Sequence, residues 1–164
     1  MSLDSDIKLM GCIKLFEGFE SEQLRLLAFG SETLVIEDGE DLFLQDAQSD
    51  GGYVIVEGRI DLVSGPDDTV VKQFGAGALL GELALITDTK HPATARAKRR
   101  TQVLKISRAL FRRMLGEYPH LVELLQQRIA NSVKEFMDRL SYVSNQMDRA
   151  DKQFLEEQVA QQQS

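Results

Sequence analysis

From Thr33 to Ile106 short β-rich runs alternate with turns built on glycine, aspartate or proline, and this succession restricts the chain more than any other feature. TLVI is followed by Asp38-Gly39, DLFL by a polar loop from Gln45 to Gly52, YVIV by Glu57-Gly58, and RIDLV by Gly65-Pro66-Asp67-Asp68. VVKQF and a glycine-studded stretch from Gly75 to Gly81 come next, and further strands are predicted at Thr94–Ala97 and Gln102–Ile106. Strands spaced about 8 to 12 residues apart, mostly without helices between them, predict an antiparallel sandwich or barrel. Glu57-Gly58 reads as a hairpin turn, because glycine tolerates the positive φ that strand twist demands there.

Helical patterns flank the strands. One is predicted around Ile7–Phe16, with Cys12 as a small core residue on its apolar face, and a second starts at a Ser21 cap. Ser107 caps a third, with Phe111, Met114 and Leu115 on its core side and an end near Gly116. After Pro119 a long helix is expected. Ile129, Val133, Phe136, Leu140, Val143, Met147, Ala150 and Phe154 alternate spacings of four and three residues, the seam of a left-handed coiled coil. A homodimer through Ile129, Val133, Phe136, Leu140, Val143 and Met147 is the expected consequence. The organisation is therefore a mainly β unit over residues 1–130 and a dimerisation helix with a fraying glutamine-rich tail over 131–164.

Charge is uneven along the chain. Residues 1–87 carry 5 basic and 17 acidic side chains, residues 88–113 carry 9 and 1, and residues 114–164 carry 5 and 8, for a net charge of -7. An acidic body with one short basic segment speaks against non-specific nucleic-acid binding and leaves room for a local anion site. Lys98, Arg99 and Arg100 read as a solvated edge. The longest nearly apolar run, Phe74–Ile86, is broken by Glu82 and is shorter than the roughly 18 residues a membrane span needs. The first residues have neither the basic start nor the apolar stretch of a signal peptide, so a cytoplasmic location is expected.

The residues that carry chemistry cluster between Gly75 and Ala97. The glycine spacing there is not that of a dinucleotide fingerprint, and no βαβ crossover follows it. Gly81-Glu82-Leu83-Ala84-Leu85 can instead form a single turn with N–H groups directed at an anion, followed by a basic loop at Lys90 and His91. The two histidines, His91 and His120, are far apart in sequence, so no metal site is expected. Asp38, Glu40 and Asp41 read as a solvated turn, and no nucleophile–base arrangement is evident.

LFEGF, GEDLFLQ, DGGYVIVEGRIDL, FGAGALLGELAL and PATARA together resemble the cyclic nucleotide-binding domain family, from about Leu15 to Val133. The resemblance implies an antiparallel β-roll, a jelly-roll-like barrel, with short flanking helices and a long C-terminal helix. It also implies a ligand, cAMP or cGMP, rather than a catalytic cofactor. Glu82 is expected to accept the ribose 2'-hydroxyl, while backbone N–H groups near Leu83 and Ala84 hold the cyclic phosphate. Gly81, Lys90, His91, Ala93 and Thr94 complete the expected site. In an ungapped alignment the family's phosphate-pairing arginine falls on His91 and the following small residue on Pro92. Arginine is a permanently charged fork, histidine is mostly neutral at pH 7, and proline has no N–H. The polar residues that meet the purine in the activator proteins fall near Phe136 and Met137, both apolar.

Two functional expectations follow. The first is a non-enzymatic sensing module that binds a cyclic nucleotide and signals through its C-terminal helix, with no direct DNA or membrane contact and with a downstream protein the sequence does not identify. The second is a dimerising scaffold whose degenerate pocket no longer binds cyclic nucleotide.

Overall fold

The computed structural model describes residues 3–128 together with 130, 131 and 134. Its strands are β1 (Glu32–Ile36), β2 (Asp41–Phe43), β3 (Gly51–Glu57), β4 (Arg59–Ser64), β5 (Thr69–Gly75), β6 (Leu79–Leu80), β7 (Thr94–Ala97) and β8 (Thr101–Ser107). They form two antiparallel sheets, ordered β1-β8-β3-β6 and β2-β7-β4-β5. The predicted β-roll is present. Among the described strands only β4 and β5 are consecutive in sequence and paired with each other, through the turn at Gly65–Asp68. Every other connection passes from one sheet to the other.

Glu57-Gly58 is therefore an inter-sheet corner, not the hairpin turn expected from the sequence, and the same holds for the link between β1 and β2. Gly58 has φ +112°, and a Cβ there would collide with Thr101. Thr101 is fully buried beneath the corner; its Oγ1 accepts the Arg59 N–H at 3.1 Å and donates to the Arg99 carbonyl at 2.8 Å. These bonds satisfy backbone groups that the change of sheet would otherwise strand.

Alternation of side chains builds the core from both sheets. Ile36, Tyr53, Ile55, Ile60, Leu80, Ala95, Ala97 and Val103 form one buried cluster inside the roll. Leu104 and Ile106 lie on the other face of β8, where α2 and α3 pack, and are buried as well. Val54, on the opposite face of β3 from Tyr53 and Ile55, is likewise fully buried, which matches the continuous apolar run Tyr53–Val56.

The leading helix is α1 (Leu3–Gly11), followed by a separate 3₁₀ turn at Lys14–Phe16 instead of one helix over Ile7–Phe16. Cys12 falls in the break between them and is exposed, so it is not the core residue expected. α2 spans Ser21–Gly30, and its cap is Glu20 rather than Ser21: the Glu20 side chain accepts from the Gln23 backbone and the Gln23 side chain accepts the Glu20 N–H at 2.7 Å. This reciprocal box satisfies two N–H groups at once. α3 spans Arg108–Glu117 with the expected Ser107 cap, whose oxygen accepts the Leu110 N–H at 3.1 Å. Phe111 and Met114 of α3 are buried with Met10, Phe16 and Leu27.

The chain divides into two compact units, Met1–Leu125 and Gln126–Ser164. Within the second, residues 126–128, 130, 131 and 134 are helical. Ile129, Val133, Phe136, Leu140, Val143 and Met147, on which the expected dimer seam rests, lie outside the described residues, as does Met137. No helix among the described residues is long and apolar enough to cross a membrane.

Candidate functional site

The turn singled out in the sequence leaves the sheet directly after β6, whose Leu79 and Leu80 pair with Val54 and Tyr53 of β3. Gly81 then reverses the chain at φ +79°, where a Cβ would approach the Gly51 carbonyl to 3.1 Å. A side chain there is disfavoured both by its backbone conformation and by the space available. Glu82 takes helical angles, and Leu83–Leu85 complete a 3₁₀ turn. The Ala84 N–H donates to Gly81 O at 3.1 Å, the Leu85 N–H to Glu82 O at 3.2 Å, and the Ile86 N–H to Leu83 O at 3.2 Å. Leu83 is exposed, and its N–H has no acceptor among the described residues. Of the two amides expected to hold an anion, that of Leu83 is open, and that of Ala84 is turned inward on a residue 2% exposed.

The remaining expected residues follow on a strap held by the segment 45–50. Ser49 donates to Thr89 O through its N–H at 2.9 Å and through its hydroxyl at 2.5 Å. The His91 N–H donates to Ala47 O at 2.9 Å, and the Asp46 N–H to His91 O at 2.8 Å. Lys90 is exposed and bridges Gln48, Ala93 is buried, and Thr94 Oγ1 accepts the Gln45 N–H at 2.9 Å. These bonds fix the path of residues 89–94 along the segment 45–50.

His91 points into a stack. It is 5% exposed, and its ring lies on Phe43 with centroids 3.7 Å apart and planes 10° apart, while Tyr53 packs 5.6 Å from the other partner, Phe43. Burial pushes the His91 pKa below 6.5, opposed by the Asp50 carboxylate. The ring is therefore neutral at pH 7. Asp50 itself is held by Lys105 Nζ at 2.9 Å. That hydrogen bond raises the lysine pKa, and burial raises that of the neighbouring Tyr53.

The depressed histidine pKa sets a sign for stability. An unfolded chain protonates His91 near 6.5 and the folded chain only at lower pH, so the native state loses stability as pH falls from that value through the folded pKa, with no effect above it. Urea midpoints measured at about pH 7.5 and 5.5 are expected to fall further for the natural protein than for His91→Phe, which keeps the stack. Equal falls, or a smaller one for the natural protein, would contradict a buried neutral imidazole.

Phe43, Asp50, Lys105 and Arg108 belong to this neighbourhood and were not among the expected residues. Arg108 had one signal, its place in the basic segment just after the Ser107 cap. Its Nε donates to Ala84 O at 2.8 Å, and its Nη2 to Ser49 O at 2.8 Å and Ser49 Oγ at 3.2 Å.

Residues 33–118, more than half of the chain, match the family model described as cyclic nucleotide-binding domain. The chain belongs to the cyclic nucleotide-binding domain family. A solved structure of a cyclic nucleotide-binding-like protein from Brucella abortus is 45% identical, with a TM-score of 0.63 over 69% of this chain and 99% of that one. The regulatory domain of Toxoplasma gondii PKA, solved with cAMP, shares the fold at 23% identity and a TM-score of 0.65, covering 79% of this chain and 50% of that one. Among curated relatives, lysophospholipase nte1 of Neurospora crassa is 30% identical over 113 residues, which is 67% of this chain and 8% of that protein. The chain thus spans less than a tenth of the length of the curated relatives it matches. Among the described residues no group of three or more His, Cys, Asp or Glu side chains is placed to hold a metal ion.

Proposed function

We propose that the chain is a non-enzymatic, cytoplasmic sensing module that binds cAMP or cGMP at Gly81-Glu82-Leu83-Ala84, with Lys90, His91, Ala93 and Thr94 along the phosphate side. The single observation that carries this reading is the reversal at Gly81, which leaves the Leu83 amide unpartnered beside Glu82 in a chain of this family. Leu83 N–H donates to the cyclic phosphate, Glu82 accepts the ribose 2'-hydroxyl, and Lys90 supplies a mobile point charge. Occupancy favours one placement of the C-terminal helix, and a homodimer through the Ile129–Met147 seam presents that placement to a protein partner. Loss of the arginine fork weakens binding relative to a site that keeps it.

A second reading, a scaffold with a degenerate pocket, is favoured by one observation: the neutral His91 ring is packed on Phe43 instead of facing an anion. Titration with cAMP and cGMP separates the two. Saturable binding, weakened about tenfold or more by Glu82→Ala, is expected. Absence of saturation up to about 1 mM ligand would remove the sensing reading.

A further inference from the structure

Arg108 connects three segments that are distant in sequence. It is the first residue of α3, its side chain is 15% exposed, and its guanidinium edge spans the carbonyls of Ala84 and Ser49, both at 2.8 Å. Its own N–H donates to Asp50 O at 2.7 Å, and Nη1 faces the Asp88 carboxylate at 4.0 Å. The Ala84 carbonyl is the first in the turn that no N–H of the turn itself reaches: those of Gly81, Glu82 and Leu83 accept from Ala84, Leu85 and Ile86. One turn further along α3, Arg112 donates to a second carbonyl just past the turn, Ile86 O, at 3.1 Å. Unsatisfied carbonyls at the end of a helical turn need an external donor, and here both donors come from α3.

From this geometry we propose that Arg108 is the positioning residue of the ligand site, fixing the orientation of the Gly81–Leu85 turn from α3 and making α3 the first element to register a change in that turn. The inference rests on the proposed cyclic nucleotide site. A planar fork can hold the turn and the 49–50 segment at one time; a lysine ammonium on a flexible stem cannot keep both carbonyls in one plane. Any shift of the turn when Leu83 N–H meets an anion moves the Ala84 carbonyl against a guanidinium that is rooted in α3.

Hydrogen exchange on the ligand-free chain tests the positioning without requiring that any nucleotide bind. Arg108→Gln is expected to speed exchange of the Ala84–Thr87 amides about tenfold or more while the β4–β5 hairpin keeps its protection, and Arg108→Lys is expected to fall between the two. Unchanged exchange at 84–87, equal acceleration over the whole chain, or full recovery with lysine would overturn the inference. Where the natural protein binds cAMP, Arg108→Gln should also weaken binding and abolish the ligand-dependent change of exchange in α3. A natural protein that binds without any change in α3 would overturn the coupling. One that does not bind removes the sensing reading and leaves the exchange result on the free chain to decide the role of Arg108.

Discussion

Changing His91→Arg and Pro92→Ala together is expected to raise affinity for cAMP about a hundredfold, from two added contacts each worth about tenfold or more. In the proposed reading, the anion is met on one side by the Leu83 amide, which has no acceptor among the described residues. On the other side His91 is a neutral ring packed on Phe43, and Pro92 adds no donor. Arginine at 91 supplies a permanent charge and a fork, and alanine at 92 supplies an N–H. Each single change is expected to give part of the gain. Calorimetric titration measures it, alongside a thermal scan to verify that the arginine, leaving the Phe43 stack, has not unfolded the roll. A folded double variant with unchanged affinity would mean that another feature of the site limits binding.

Phe111→Ala is expected to cost about 3–5 kcal/mol, a large part of the stability of a domain this size. Phe111 is fully buried on α3 and lies 6.2 Å from the Phe16 ring, which in turn packs 5.3 Å from Phe19. The three rings join α3 to the segment ahead of α2, so truncation leaves a cavity that several elements would have to close at once. Phe29, 81% exposed, is the control: Phe29→Ala should change stability by about 0.5 kcal/mol or less. Urea denaturation reads both, and a loss below about 1 kcal/mol at Phe111 would contradict a core that depends on these rings.

Most strands were legible in the sequence because they carry β-rich residues, a signal that depends only on near neighbours; β6, two residues long inside the glycine-studded stretch, was not. Their connections were not. A glycine at positive φ serves a hairpin and an inter-sheet corner equally, and only the position of Thr101, more than forty residues away, makes Gly58 a corner. Cys12 was misjudged for a similar reason: its apolar spacing fits a continued helix, but the chain leaves the helix at Gly11. The Ser21 cap was misplaced by one residue, since Glu20 and Gln23 form a reciprocal pair in which a carboxylate does the work of a hydroxyl.

The site divides in the same way. Gly81-Glu82-Leu83-Ala84 was readable because the turn is made by adjacent residues. The burial of His91 depends on Phe43, and the role of Arg108 on carbonyls 24 and 59 residues away, so neither has a local signature. The inward bond of the Ala84 amide is likewise a property of the closed turn and not of its composition.

In the proposed function the Leu83 amide meets the phosphate of a cyclic nucleotide. The most direct measurement is a titration with cAMP followed by amide NMR. The Leu83 N–H resonance is expected to move most, saturating together with those of Gly81 through Leu85 and with the amides around Lys90 to Thr94. Saturable binding that leaves Leu83 unmoved while amides elsewhere in the roll respond would contradict it.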